Sequence, residues 1–192
     1  RILRMARPVS AAQDDEMLTR DGLIIDLTRP DRCVLTLARP EVRNAIDERM
    51  VAALHWVCEE LERRPVPLIV TGGTEIFAAG ADISQLKERS RLDALAGINS
   101  GIFDRIAKLP MPTVAAIAGP AIGGGAELAY ACDFRVGTPT AKIGNPEGQL
   151  GILASAGASW RLLELVGEPL AKEILLAGRT LTAPEALAVR LL

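Results

Sequence analysis

The stretch AGPAIGGGAELAYACD, residues 118–133, decides the fold because it joins a buried strand to a buried helix through a glycine-rich turn. The apolar run at 113–118 predicts a parallel strand, and residues 124–131 predict a helix. Three consecutive glycines, 123–125, let the chain turn tightly, so that free N–H groups and the positive end of the helix dipole point into one pocket.

Apolar strands alternate with helical patterns on both sides of this stretch. The other predicted elements are, in chain order, a hairpin at 23–28 and 33–38, a helix after Asp47, a buried strand at 67–71, helices at 83–87 and 92–109, a strand at 134–137, and helices at 159–166, 169–177 and 183–191. This alternation predicts an α/β fold, with a parallel sheet assembled from ββα units.

The composition excludes several classes of protein. The 192 residues include 22 basic and 24 acidic side chains, for a net charge of −2, which is typical of one globular domain. A chain without a basic tract is not expected to bind a phosphate backbone, and only 3% of the residues are aromatic, too few for a single-strand stacking platform. We therefore expect no nucleic-acid partner.

The cysteines and the single histidine give no sign of a metal site. Cys33, Cys58 and Cys132 are widely spaced without a CxxC pair, and structural zinc needs about four close ligands. We interpret them as buried reduced thiols, which predicts a cytoplasmic protein without metal. His55 lies beside the apolar stripe of its helix, which predicts a partly exposed residue outside catalysis.

Two segments share some features with targeting or membrane segments. The uncharged run at 109–126 is 18 residues long, but its prolines and glycines would break a helix in lipid. Residues 1–20 contain four arginines and three acidic residues without an apolar core, unlike a signal peptide. We predict no membrane partner and a flexible N-terminal arm over 1–20.

The common nucleotide and nucleophile motifs are absent. Leu128 stands where a GxGxxG fingerprint needs its third glycine, and the chain has no Walker sequence. Ser155 cannot be a nucleophile elbow because Leu153 stands where that motif needs glycine. These classes of enzyme are therefore excluded.

The remaining candidates are two glutamates and two glycine-containing turns. Glu127 lies in the first turn of the helix after the triple glycine, Glu147 lies in GNPEG (144–148), and the loop GAD (80–82) follows the first buried strand. Each has a simpler interpretation: Glu127 as a first-turn helix charge, Glu147 as part of a surface turn, and the GAD stretch as a loop with an aspartate N-cap. Only their combination indicates a site.

Taken in order, these stretches resemble the enoyl-CoA hydratase/isomerase (crotonase) family. The matching segments are RPEVRNAID (39–47), FAAGADI (77–83), AGPAIGGGAELAYACD (118–133), IGNPEGQLGI (143–152) and WRLLELVGEPLAKEILLAGRTLTAPEAL (160–187). The resemblance covers residue 21 to the end. It implies a crotonase-like acyl-CoA domain over 21–192, with repeated ββα units forming a parallel-rich sheet stack flanked by helices.

The resemblance also implies a role for each candidate residue. The N–H groups of Ala81 and Gly124 would form the oxyanion hole for the thioester carbonyl, and Glu127 and Glu147 would be the catalytic pair. The substrate channel would be lined by Ala79, Ala81, Asp82, Ile83, Ser84 and Gly124. Coenzyme A would be part of the substrate, with no separate cofactor.

Having both glutamates favours hydration of a 2-trans-enoyl-CoA, a step of fatty acid β-oxidation. N–H donors stabilise the developing enolate, and we assign Glu127 as the base that activates water and Glu147 as the acid that protonates the α-carbon. An isomerase, dehydratase or lyase of the same family, or a catalytically silent binding member, are the alternatives.

Relatives of this kind continue past the position that corresponds to Leu192, into helices that cover the acyl pocket and join subunits. The resemblance implies a homotrimer or a dimer of trimers, and we expect the C-terminal helical region to be cut short in this sequence. The segment GILASAGAS (151–159), which in relatives faces the acyl chain, departs from the proline- and glycine-rich sequence that is usual in the family.

Overall fold

The computed structural model describes residues 17–192. The strands are β1 (Met17–Arg20), β2 (Leu23–Asp26), β3 (Cys33–Leu37), β4 (Leu68–Thr71), β5 (Thr113–Ile117), β6 (Pro120–Ile122), β7 (Phe134–Gly137), β8 (Lys142–Gly144) and β9 (Thr180–Thr182). The α-helices are α1 (Glu48–Arg63), α2 (Ile83–Glu88), α3 (Arg91–Ala96), α4 (Ile98–Ala107), α5 (Gly124–Ala131), α6 (Leu163–Val166), α7 (Glu168–Leu176) and α8 (Ala183–Ala188). The predicted α/β class is confirmed.

Two sheets form the framework. The larger has the order β1-β2-β3-β4-β5-β7, antiparallel as far as β3 and parallel from β3 onward. The smaller has the order β6-β8-β9, with β6 parallel to β8 and β8 antiparallel to β9. Since ligands of parallel sheets bind beyond the carboxyl ends of the strands, the loops after β4 and β5 are the natural place for a site.

Helix α1 covers the larger sheet with an apolar face. Asp47 caps it by accepting a hydrogen bond of 2.8 Å from the Met50 N–H. The side chains of Met50, Leu54 and Val57 are buried at helical spacing, and each contributes about 1.5–3 kcal/mol through removal from water. The predicted N-cap and apolar stripe are both confirmed.

Helix α5 is buried along its whole length, from Gly124 to Ala131. A helix that is apolar on every side belongs in a protein core, but this one carries Glu127 in its first turn. Glu127 does lie in the first turn, as the simpler interpretation of a first-turn helix charge has it, but its burial needs a chemical explanation beyond that.

The structure corrects the bounds or the presence of several predicted elements. The helix predicted over 92–109 is divided into α3 and α4, because Gly97 adopts a left-handed φ of 63° that ends one helix. The short strands β6, β8 and β9 were not predicted, since three residues carry too little periodicity. The helix predicted over 159–166 begins one residue earlier, with a π-helical turn over Ala158–Leu162.

The arm predicted over 1–20 is partly wrong. Its last four residues, Met17–Arg20, form β1, which pairs with β2 in an antiparallel register. The backbone hydrogen bonds of that hairpin order the segment. The rest of the predicted arm lies outside the described residues. None of the helices between residues 17 and 192 has the length and apolar character needed to cross a membrane.

Candidate active site

A cavity of about 290 Å³ lies between the loops that follow β4 and β5 and the segment after β8. Most of its wall is apolar, with a few polar groups directed inward, which is the usual character of a small-molecule site. The lining residues that the sequence predicted as site residues are Ala79, Ala81, Ile83, Gly124, Glu127 and Glu147.

The glycine turn before α5 depends on the absence of side chains. Gly123 has φ 55° and ψ −125°, and a Cβ built there would lie 3.2 Å from Oε1 of Glu147. Gly125 packs so closely that a Cβ would lie 2.3 Å from the carbonyl oxygen of Ala78. The triple glycine therefore permits both the turn and the close approach of two loops.

The backbone N–H groups of Ala81 and Gly124 lie on the two facing loops. The N–H of Ile46 donates to the carbonyl of Gly80, and the carbonyl of Ile46 accepts from the N–H of Asp82. Because backbone groups alternate in direction along an extended segment, the N–H of Ala81 points away from Ile46. A Cβ built on Gly124 would lie 3.1 Å from the Ala81 nitrogen, a measure of how close the loops are. Within residues 17–192 neither N–H has a protein acceptor, so the pair is available to an oxygen in the cavity.

Glu127 faces the cavity from α5 and is only 4% exposed. Its Oε1 accepts hydrogen bonds from the N–H groups of Ala156, at 2.7 Å, and Ala158, at 3.1 Å. Burial raises the pKa of this carboxyl to about 7, the two N–H donors oppose the rise, and the negative charge of Glu147 adds to it. Such a carboxyl can exchange protons near neutral pH.

Glu147 reaches the same cavity from a 3-10 turn, Pro146–Leu150. Its Oε1 accepts a hydrogen bond of 3.2 Å from Nδ2 of Asn145, while its buried Oε2 has no partner within the described part of the chain. Burial raises the pKa of Glu147, and the Asn145 donor lowers it. The free Oε2 is thus the oxygen left to act on a ligand.

Asn145 is a site residue that the sequence analysis missed. It is fully buried, and its Oδ1 accepts a hydrogen bond of 3.0 Å from the Tyr130 hydroxyl, which directs the amide Nδ2 toward Glu147. The same Nδ2 donates to the Gly123 carbonyl at 3.3 Å. The polar residue two positions before Glu147 was the available signal, but its burial could not be read from the sequence.

The segment that holds Glu127 was also missed, because it acts through main chain. Arg161 forms an ion pair with Asp104 of α4, and its Nη1 lies 3.5 Å from the carbonyl oxygen of Ala156. Gly157 lies under the guanidinium, where a Cβ would be 2.2 Å from Nη1. Arg161 therefore connects the segment 156–158 to α4.

Two of the predicted channel residues lie elsewhere. Asp82 caps α2, accepting hydrogen bonds from the N–H groups of Ser84 and Gln85 at 2.9 and 3.2 Å. The Ser84 hydroxyl also donates to Asp82, which lowers the pKa of that carboxyl. Neither Asp82 nor Ser84 lines the cavity. They position the Ala81 loop by starting the helix that follows it.

The other titratable candidates lie outside the site. His55 is partly exposed on α1 beside Arg105, as predicted. The three cysteines are free and buried, also as predicted. Over residues 17–192 no cluster of three or more potential metal ligands is found.

Comparison with known proteins agrees with this geometry. Residues 32–191 match the family model for enoyl-CoA hydratase/isomerase. The chain is 38% identical over 155 residues to the probable enoyl-CoA hydratase of Mycobacterium tuberculosis, covering 80% of this chain and 60% of that protein. It is 36% identical over 163 residues to the short-chain-enoyl-CoA hydratase of Clostridium acetobutylicum, covering 82% and 62% respectively. The chain thus spans about three fifths of the length of these relatives.

Solved structures of enoyl-CoA hydratases also resemble this chain. An enoyl-CoA hydratase from Bacillus anthracis superposes with a TM-score of 0.82 at 30% identity, covering 88% of this chain and 67% of that one. An enoyl-CoA hydratase from Thermoplasma volcanium superposes with a TM-score of 0.82 at 35% identity, covering 88% and 69%.

Proposed function

The chain belongs to the enoyl-CoA hydratase/isomerase family, and we propose that it hydrates 2-trans-enoyl-CoA thioesters. The observation that carries the proposal is the arrangement in one cavity of two backbone N–H groups without an acceptor in residues 17–192, the buried Glu127 and the half-buried Glu147. An oxyanion site and a proton-exchanging pair are the two elements that addition of water to a conjugated thioester requires.

In this mechanism the thioester oxygen accepts hydrogen bonds from the N–H groups of Ala81 and Gly124. The oxygen of water bonds to the β-carbon, the double bond opens, and negative charge moves to the thioester oxygen as an enolate. Donors already directed at that oxygen stabilise the enolate without reorganisation, and each contributes about 10²–10³ in rate in comparable sites.

The two carboxyls divide the proton transfers. Glu127 takes a proton from the water as it attacks, since a pKa of about 7 leaves much of this carboxyl ionised at neutral pH. Glu147 protonates the α-carbon. Its Oε1 is occupied by the Asn145 donor, so its proton belongs on the free Oε2. The pair titrates as a unit, and passage of the proton from Glu127 to Glu147 closes the cycle.

The test is hydration of crotonyl-CoA and longer 2-trans-enoyl-CoAs, followed by loss of the conjugated thioester absorbance. Glu147→Gln and Glu127→Gln are each expected to lower kcat by about 10²–10⁴, as removal of a general acid or base does. Glu164→Gln, an exposed residue of α6, is the matched control and is expected to keep wild-type activity. Turnover that survives both active-site changes would overturn the proposal.

The products separate this reaction from its relatives. Movement of the double bond without addition of water would indicate an isomerase and would overturn the proposed hydration. Binding of CoA thioesters without any conversion would indicate a silent member.

We further propose that the reaction needs no cofactor beyond the acyl-CoA substrate and water. We also propose that the chain assembles as a homotrimer or a dimer of trimers, and that it is cytoplasmic. Buried free thiols support a reducing compartment. Light scattering after gel filtration tests the assembly, and a monomer at micromolar concentration would contradict it.

A further inference from the structure

One wall of the cavity carries two polar side chains that the proposed hydration does not use. Arg89 follows the last residue of α2, and Asn99 is the second residue of α4. Asn99 is 7% exposed and the Arg89 side chain is 14% exposed. The apolar Ile83, Leu86 and Leu153 also line the cavity, so it offers a polar pair together with apolar surface for an acyl chain.

The two side chains are hydrogen-bonded to each other, and each also has a buried N–H donor without a partner. Nη1 of Arg89 donates to Oδ1 of Asn99 at 2.9 Å, which leaves the amide nitrogen of Asn99 as its free end. In the part of the chain described, neither Nδ2 of Asn99 nor Nε of Arg89 has a hydrogen-bond partner, although both atoms are buried. Buried polar atoms are normally bonded. Since both free groups are donors only, the missing partner is an acceptor.

The charge of the guanidinium specifies the acceptor further. The carboxylate of Glu48 on α1 lies 3.9 Å from Nε, beyond hydrogen-bond distance, and is half exposed. Asp93 on α3 is exposed and is held by Ser90 in a capping box. Arg89 and Glu48 therefore form only a long ion pair, and a largely buried guanidinium whose counter-ion makes no hydrogen bond binds an anionic oxygen more strongly than a neutral one.

We propose that the enzyme acts on enoyl-CoA thioesters whose acyl group ends in a carboxylate, held by Arg89 and Asn99. This inference rests on the proposed hydration only for the reacting end of the substrate. The tail-binding groups are separate from Glu127 and Glu147, although all four line one cavity.

Binding and turnover test the inference separately. Calorimetry compares glutaryl-CoA with 5-methylhexanoyl-CoA, which has the same shape but an isopropyl group in place of the carboxylate. We expect glutaryl-CoA to bind at least about tenfold more tightly, as expected for hydrogen bonds to a charged group. The unsaturated counterparts, glutaconyl-CoA and 5-methylhex-2-enoyl-CoA, should show the same ratio in kcat/KM.

Three variants locate the effect. Arg89→Met and Asn99→Leu should each reduce the preference for the carboxylate toward unity, and Arg89→Lys should keep part of it. Arg91→Met, two residues away and exposed, is the control and should keep all of it. If a variant fails to fold, the wild-type ratio still decides the question.

Each pattern of results has one meaning. Equal or weaker binding of glutaryl-CoA overturns the carboxylate subsite, whatever the enzyme does to either enoyl-CoA. Hydration of both enoyl-CoAs at equal efficiency supports the proposed hydration and overturns the carboxylate subsite. Preference for glutaryl-CoA without any hydration supports the subsite and overturns the proposed reaction.

Discussion

Glu127 is expected to weaken the fold at neutral pH, and its replacement by glutamine should therefore stabilise the protein. Its pKa is raised from 4.5 to about 7, chiefly by burial. Below pH 4.5 the carboxyl is protonated in both the folded and the unfolded chain, and ionisation has no effect on stability. As the pH rises from about 4.5 to about 7, the unfolded chain ionises at no cost whereas the buried carboxyl stays largely protonated, so stability is lost until the pH passes the folded pKa.

The magnitude follows from the two pKa values. A rise from 4.5 to about 7, at about 1.4 kcal/mol per pH unit, corresponds to about 3 kcal/mol. Glutamine has the same size and keeps an oxygen that can accept from the Ala156 and Ala158 N–H groups. The free energy of unfolding of Glu127→Gln at pH 8 is thus expected to be about 3 kcal/mol higher than that of the wild type, which corresponds to a melting temperature about 6–12 °C higher.

The assay is guanidinium unfolding at pH 5 and pH 8, followed by circular dichroism and extrapolated to water. At pH 5 the gain should be below about 1 kcal/mol, because the unfolded carboxyl is then only partly ionised. Glu164→Gln on the surface of α6 should change stability by no more than about 0.5 kcal/mol at either pH. A gain that is the same at both pH values, or a loss at pH 8, would refute the reasoning.

Three further predictions concern the surroundings of Glu147 and the core. Gly123→Ala forces φ 55° on a residue with a Cβ, 3.2 Å from Glu147, and should cost about 1–3 kcal/mol in thermal unfolding; an unchanged melting temperature would contradict this. Asn145→Leu removes the donor that lowers the pKa of Glu147, so the pH profile of kcat should move to higher pH, whereas a merely structural loss would lower kcat equally at every pH. Burial raises the pKa of all three cysteine thiols to about 12, so they should react with an aromatic disulfide reagent at pH 8 only after unfolding, and rapid labelling of the native protein would contradict their burial.

The longer elements could be predicted from the sequence because their periodicity is strong. The amphipathic stripe of α1, its Asp47 cap and the apolar runs of β4 and β5 are local features, and each appeared near its predicted bounds. The division at Gly97 and the three-residue strands of the smaller sheet were not predictable. The three-residue strands form only by pairing with segments distant in the chain, and no periodicity requires Gly97 to take its left-handed φ.

The sequence by itself determined the α/β class and the glycine turn before α5, because these depend on residue type and local spacing, and it pointed to the two glutamates through the resemblance of several stretches to one family. Only the tertiary structure decided that Glu127 is buried, that backbone groups from Ala156 and Ala158 hold it, and that Asn145 directs Glu147. Desolvation and hydrogen bonds between segments about 30 residues apart set the properties of Glu127, and burial together with the hydrogen bond from Tyr130 sets the orientation of Asn145. They arise only when the chain has folded, since no local pattern specifies which main-chain N–H will face a buried carboxyl.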